Sequence, residues 1–265
     1  MKKMNIVGLL IGFSLLAFMA CEPIVEEQEL KNVTDVEGVD LEVVSATEGG
    51  NNLTLKMNTH GVSGYWDYNL GRAYTDEVNI IYPIPGTATF SFTGTLGAEF
   101  FTKTIDVQID ELDHELDQDW YDLVSDNTVA GKTWVFDGTT GDGGLWWFMS
   151  PPNDPDSYMT AWWNAGGSGE MPPPDVDGKM HFDLDGAANF TYYSGPDADP
   201  EEGSFVLNVA DQVLTISGSN VLGGDHEVGN PDGEYMIISL TEDELILYEP
   251  FNSWETGWTW VFRPE

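Results

Sequence analysis

Apolar residues recur at every second position over short runs, and turn residues separate the runs. Leu53, Leu55 and Met57 alternate with Thr54, Lys56 and Asn58; Phe90 and Phe92 alternate with Thr89, Ser91 and Thr93; Ile105, Val107 and Ile109 alternate with Asp106 and Gln108. Because successive strand side chains point to opposite faces, this pattern predicts strands with one buried and one solvated face. The 29 glycines and 14 prolines would interrupt any long helix. The expected fold class is therefore all-β.

The net charge of −37 does not imply disorder, since 12% of the residues are aromatic and supply apolar area for a core. It does narrow the partners. So acidic a surface repels phosphate backbones and anionic lipid headgroups, which excludes nucleic acid and favours neutral ligands. With a single cysteine, no intrachain disulfide can form.

Residues 39–110 hold the first set of strands. Turn signals at 49–52 (Gly-Gly-Asn-Asn) and at Pro85-Gly86 separate them, and five to seven such strands predict an immunoglobulin-like β-sandwich. The stretch from Gly64 to Ile109 resembles a PKD domain: Trp66-Asp67-Tyr68 stands in the place of its WDF-like motif and Pro85-Gly86 precedes the penultimate strand, although the GDG that usually follows is absent. The resemblance implies an extracellular spacer or interaction module.

Residues 111–130 form an acidic linker in which Leu112, Leu116, Trp120, Leu123 and Val124 have helical spacing. The second unit, 131–265, contains eight of the ten tryptophans. A hairpin is expected over 180–192 around Asp185-Gly186, read as a two-residue turn, followed by strands at 204–209, 213–217, 235–240, 244–248 and 257–262. Sequential strands with short turns predict an antiparallel β-barrel or a jelly-roll β-sandwich. The layout from Lys132-Thr133-Trp134 through Leu240–Leu247 to Trp258–Phe262 resembles the lipocalin-like domains of Bacteroidetes surface lipoproteins, with a jelly-roll carbohydrate-binding module as the alternative.

The N-terminus strengthens that resemblance. Lys2 and Lys3 precede an apolar run from Ile6 to Met19, too short for a comfortable membrane span, which ends at Ala20-Cys21. Residues 1–20 resemble a bacterial lipoprotein signal peptide, which implies that Cys21 is the acylated lipid anchor. Residues 21–38 would be a tether. Its Glu22, Glu26, Glu27 and Glu29 resemble the acidic export signal that sends such lipoproteins to the cell surface of the outer membrane.

The candidate glycan-binding residues are Trp146, Trp147, Tyr158, Trp162, Trp163, Asn164 and Trp254. Adjacent tryptophans on a strand face opposite sides, so one of each pair is expected outside, where a flat indole suits the C–H face of a sugar. Asn153, Asp154, Asp156 and Asn164 could orient hydroxyls. The opposing reading buries all four paired tryptophans in the core. Trp134, Trp258 and Trp260, with apolar partners two residues away, are expected inside.

Enzymatic signals are sparse: Glu111-Leu112-Asp113-His114-Glu115 resembles the catalytic strand of laminarinase-type glycoside hydrolases, but it lies in the linker and His114 replaces an apolar residue. A solvated acidic helix is the preferred reading there, and no catalytic residue is assigned. No cofactor is expected. The pairs Asp175/Asp177, Asp183/Asp185 and Asp197/Asp199 leave open a structural calcium, against a simpler role in turns.

These readings converge on a lipid-anchored surface protein that captures a neutral polysaccharide, a β-glucan being the suggested class, and passes it to an outer-membrane glycan transporter complex. The alternatives are a glycoside hydrolase acting on a neutral glycan and a lipocalin-like carrier or structural surface lipoprotein.

Overall fold

A computed structural model describes residues 36–138, 147–154, 156, 162–164, 173–224, 230, 232–250 and 255–265. It consists of a β-sandwich followed by a closed β-barrel, as the alternation predicts. Cys21 lies outside the described residues.

The sandwich contains β1 (Leu41–Ser45), β2 (Asn52–Met57), β3 (Val62–Asp67), β4 (Arg72–Ala73), β5 (Glu77–Ile81), β6 (Gly86–Leu96) and β7 (Glu99–Ile109). One sheet has the order β1-β2-β5 and the other β4-β3-β6-β7. Pro85-Gly86, expected as a turn, instead joins the crossover to β6: Pro85 ends the crossover, in which Tyr82 and Ile84 are buried, and Gly86 begins the strand opposite Ile109. Trp66 is fully buried and meets Phe92 edge-on at 5.3 Å, so the tryptophan of the Trp66-Asp67-Tyr68 motif is the centre of the core. Asp67 stays at the surface in an ion pair with Arg72 at 3.0 Å.

The segment between the units differs from its expected form. Only Gln118–Val124 is helical (α1); Leu112 and Leu116 precede the helix, and 111–115 is irregular chain rather than an acidic helix. The reason is long-range pairing. Asp113 accepts the Asn51 amide at 3.2 Å, while the buried Asn51 side chain exchanges hydrogen bonds with the His114 backbone at 2.9 and 3.0 Å. These contacts hold 113–114 extended against the β1–β2 loop. Asn127 and Ser125 then shape the short path into the barrel.

The barrel comprises β8 (Lys132–Phe136), β11 (Lys179–Asp183), β12 (Asn189–Tyr193), β13 (Glu201–Asn208), β14 (Val213–Ser217), β15 (Glu234–Thr241), β16 (Glu244–Glu249) and β17 (Gly257–Pro264). Each strand pairs with the next, and β17 returns to β8 through Phe262↔Phe136 and Pro264↔Trp134. The up-and-down order selects the barrel over the jelly roll. The hairpin between β11 and β12 exists, but Asp183↔Asn189 is its last pair, so the loop is longer than the two-residue turn expected at Asp185-Gly186. Leu184 is drawn into the core and donates its amide to Thr128, and the Asp183 carboxylate caps the Asp185 amide at 2.9 Å; the tight turn cannot form.

Two further strands flank the seam. β9 (Trp147–Ser150) continues the line of β8 along β17, pairing Trp147↔Trp260 and Gly257↔Ser150, and β10 (Trp163–Asn164) pairs with β9. β17 is thus shared: its last residues hold β8 and its first hold β9.

The lumen is filled by Trp134, Phe136, Phe182, Tyr235, Trp260 and Phe262 among others, all at most 2% exposed. At the floor, α1 packs Trp120 against Phe205, with ring centroids 6.1 Å apart, and Leu123 beneath Trp134. At the rim, the turn at 221–224 folds inward: Val221 and Leu222 are buried, and Gly223, at φ +75°, lies so close to Phe136 and Trp260 that a Cβ would stand 3.2–3.3 Å from their rings. Asp175 secures this turn by accepting the Gly223 amide at 2.8 Å and the Tyr192 hydroxyl at 2.7 Å.

Candidate functional site

Of the expected glycan-binding residues, Trp147, Trp162, Trp163 and Asn164 are placed by β9 and β10 beside the shared strand. Trp162 donates its amide to the Met149 carbonyl at 2.8 Å, which places it at the end of the β9–β10 ladder. Its side chain is 54% exposed. Trp66, Trp120, Trp134, Trp258 and Trp260 are all buried, so among the tryptophans whose side chains are described Trp162 is the exception. Trp163 and Asn164 form β10 directly after Trp162, and Trp147 begins β9 at the other end of that short ladder; their side chains are outside the description. Trp146, Tyr158 and Trp254 lie outside the described residues.

The loop leaving β9 is anchored on its neighbour. The Tyr248 hydroxyl donates to the Pro151 carbonyl at 2.8 Å and accepts the Asp154 amide at 3.2 Å, while the Asn153 amide donates to the Pro250 carbonyl at 2.7 Å. Asn153 adopts φ +54°, a left-handed conformation that asparagine tolerates. Burial raises the Tyr248 pKa, which keeps its hydroxyl protonated and able to donate. The backbone of Asn153 and Asp154 is therefore fixed just after the end of β9, the strand whose Met149 carbonyl accepts the Trp162 amide.

Beneath this loop lies a residue that sequence reasoning missed. Glu249 follows Leu245 and Leu247 in the inward phase of β16; it pairs with Trp258 and is 7% exposed. Its Oε2 has no hydrogen-bond partner, and burial pushes its pKa up to about 7. It borders a cleft of about 220 Å³ with Asn230, Asp232, Tyr235 and Pro250. The signal in the sequence was a carboxylate ending the continuous apolar run Leu245–Tyr248, which is buried throughout.

Three of the other nominated carboxylates, Asp113, Asp175 and Asp183, have structural partners. Asp113 takes hydrogen bonds from His114, Thr47 and the Asn51 backbone, which lower its pKa, and no described cleft is lined by 111–115. Asp183 accepts from Asp185 and Asn189, and Asp175 from Tyr192 and Gly223. Among the described residues no group of three or more His, Cys, Asp or Glu side chains is placed to hold a metal ion.

Trp134, Trp258 and Trp260 are inside, as their apolar i+2 partners predict. The two clefts of about 340 and 320 Å³ lie between sandwich and barrel, separated by Leu70 and Tyr82. No family model matches this chain, and no curated protein matches it.

Proposed function

We propose that the protein is a non-catalytic, lipid-anchored surface protein that captures a neutral glycan at the rim of its barrel. The observation that carries this reading is the exposed Trp162 indole in a unit whose other described tryptophans are buried. Leaving such a large apolar surface in water is costly, and stacking on the C–H face of a sugar ring recovers part of that cost. The acidic surface favours an uncharged partner. The packed lumen favours capture on the outside over carriage of an apolar molecule within. In this reading Cys21 carries the lipid and the sandwich holds the barrel away from the membrane, beside a glycan transporter.

Calorimetry or affinity electrophoresis of the folded protein against neutral polysaccharides is the direct test, including a mixed-linkage β-glucan, a xyloglucan, a galactomannan and an amylose. Binding of at least one, weakened by Trp162→Ala, is expected. Failure to bind any of them overturns the reading. The anchor is tested separately: Cys21→Ala should move the protein from the membrane fraction to the soluble fraction, and retention in the membrane would refute acylation.

A further inference from the structure

The outward face of the sheet β4-β3-β6-β7 differs from the rest of this acidic molecule. Strand alternation places Thr87, Thr89, Ser91, Thr93 and Thr95 of β6 on it, with Phe100, Thr102 and Thr104 of β7 on one side and Ser63 and Tyr65 of β3 on the other. The same phase also carries Asp67, Arg72 and Asp106, and both carboxylates are engaged, Asp67 by Arg72 at 3.0 Å and Asp106 by the Thr89 hydroxyl at 2.7 Å.

Aromatic rings stand at two edges of these hydroxyl rows. Phe100 is 85% exposed and Tyr74 75% exposed. Tyr74 packs on Tyr65 with ring centroids 5.5 Å apart, and the Arg72 guanidinium lies 5.2 Å from the Tyr65 centroid, which fixes the ring. Phe100 pairs with Thr95, which pairs with Ser63, two residues from Tyr65. The Phe100 and Tyr65 positions are therefore separated by roughly 10 Å across the strands and roughly 7 Å along them, and Tyr74 follows β4, the next strand beyond Tyr65. Between them Thr93 and Thr102 share a hydrogen bond at 2.9 Å, and their hydroxyls retain acceptor capacity.

We infer that this face is a second binding platform and that its occupant is a neutral glycan chain lying across the strands between Phe100 and Tyr74. The inference rests on the glycan reading above and extends it to the sandwich, which becomes a binding unit rather than a spacer alone. The chemistry selects the occupant. Rows of hydroxyls match a partner rich in hydroxyls, the flanking rings match its C–H faces, and the engagement of both carboxylates on the face leaves its centre to uncharged groups. A second copy of the chain is disfavoured by repulsion between molecules of charge −37 and by the small apolar area of the face.

The test uses the full chain with the four polysaccharides above and compares wild type with Phe100→Ala and Thr102→Glu, both at exposed positions whose replacement leaves the core intact. An affinity loss of at least fivefold in both, with an unchanged unfolding midpoint, is the expected result. Wild-type affinity in both, while Trp162→Ala is impaired, overturns the platform and leaves the rim site standing. If wild type binds none of the four, the glycan reading and the platform fall together. Concentration-dependent dimerisation abolished by Phe100→Ala, seen by sedimentation, would also overturn it by assigning the face to a second copy.

Discussion

Trp134 Nε1 donates to the main-chain carbonyl of Leu123 at 2.9 Å, and both residues are fully buried. A lumen side chain of β8 thereby satisfies a carbonyl near the end of α1, where intrahelical partners run out. Trp134→Phe removes the pyrrole part of the buried indole and leaves that carbonyl unpaired, and should cost at least about 1–3 kcal/mol in urea unfolding. An unchanged stability would show that the bond contributes nothing.

The same contact assigns α1 to the barrel as its floor. A chain of residues 111–265 should unfold cooperatively, whereas 131–265, lacking Trp120, Leu123 and Val124, should expose the lumen and lose the sharp transition. Equal thermal transitions in the two fragments would refute this dependence.

Glu249 makes stability depend on pH. Its carboxyl titrates at about 7 when folded and near the usual carboxylate value when unfolded, so the folded state holds the extra proton between those values. The associated stability is complete below about pH 4.5, is lost as pH rises toward 7, and stays absent above it. Relative to Glu249→Gln, wild type should lose about 1–2 kcal/mol between pH 5 and pH 8, after allowing for partial solvent screening. Parallel stability curves for the two proteins would exclude the effect.

Gly64 and Gly94 face each other across β3 and β6, where a Cβ on Gly64 would stand 2.2 Å from the Thr93 carbonyl oxygen and one on Gly94 2.7 Å from that of Ser63. These neighbours are backbone and cannot swing away. Gly64→Ala should destabilise the sandwich by about 1–3 kcal/mol, measured by denaturant unfolding.

Trp162→Ala should separate binding from stability. Loss of the exposed indole is expected to weaken glycan affinity about tenfold, while unfolding free energy stays within about 0.5 kcal/mol of wild type. A large stability loss would mean that the indole is a packing residue.

Much of the fold follows from local alternation. Val213 to Ser217 forms the strand expected of it, and the inward phases of Leu53, Leu55, Phe90 and Phe92 are those of the two sheets. The β11–β12 loop escaped local reasoning because Leu184 answers to Thr128, far from the turn that Gly186 suggests. The extended course of 113–114 depends on Asn51, more than sixty positions away. In the doublet Trp162-Trp163, Trp162 is exposed, and the side chain of Trp163 lies outside the described residues. The doublet Phe100-Phe101 carried the same signal and was overlooked: Phe101 is 7% exposed and Phe100 faces solvent.

The division of β17 between two partners has a consequence for variation. The chain leaves the seam at Phe136 and rejoins it at Trp147, and both margins keep their pairing with β17 whatever lies between them. The pairs of the closing ladder are made by Trp134–Phe136 and Trp147–Ser150, with Asp137 adding a hydrogen bond to Val261, so a change of length between these two stretches removes no described pair. The seam is thus a splice point where descendants of this sequence can remodel the edge of the barrel without rebuilding its interior.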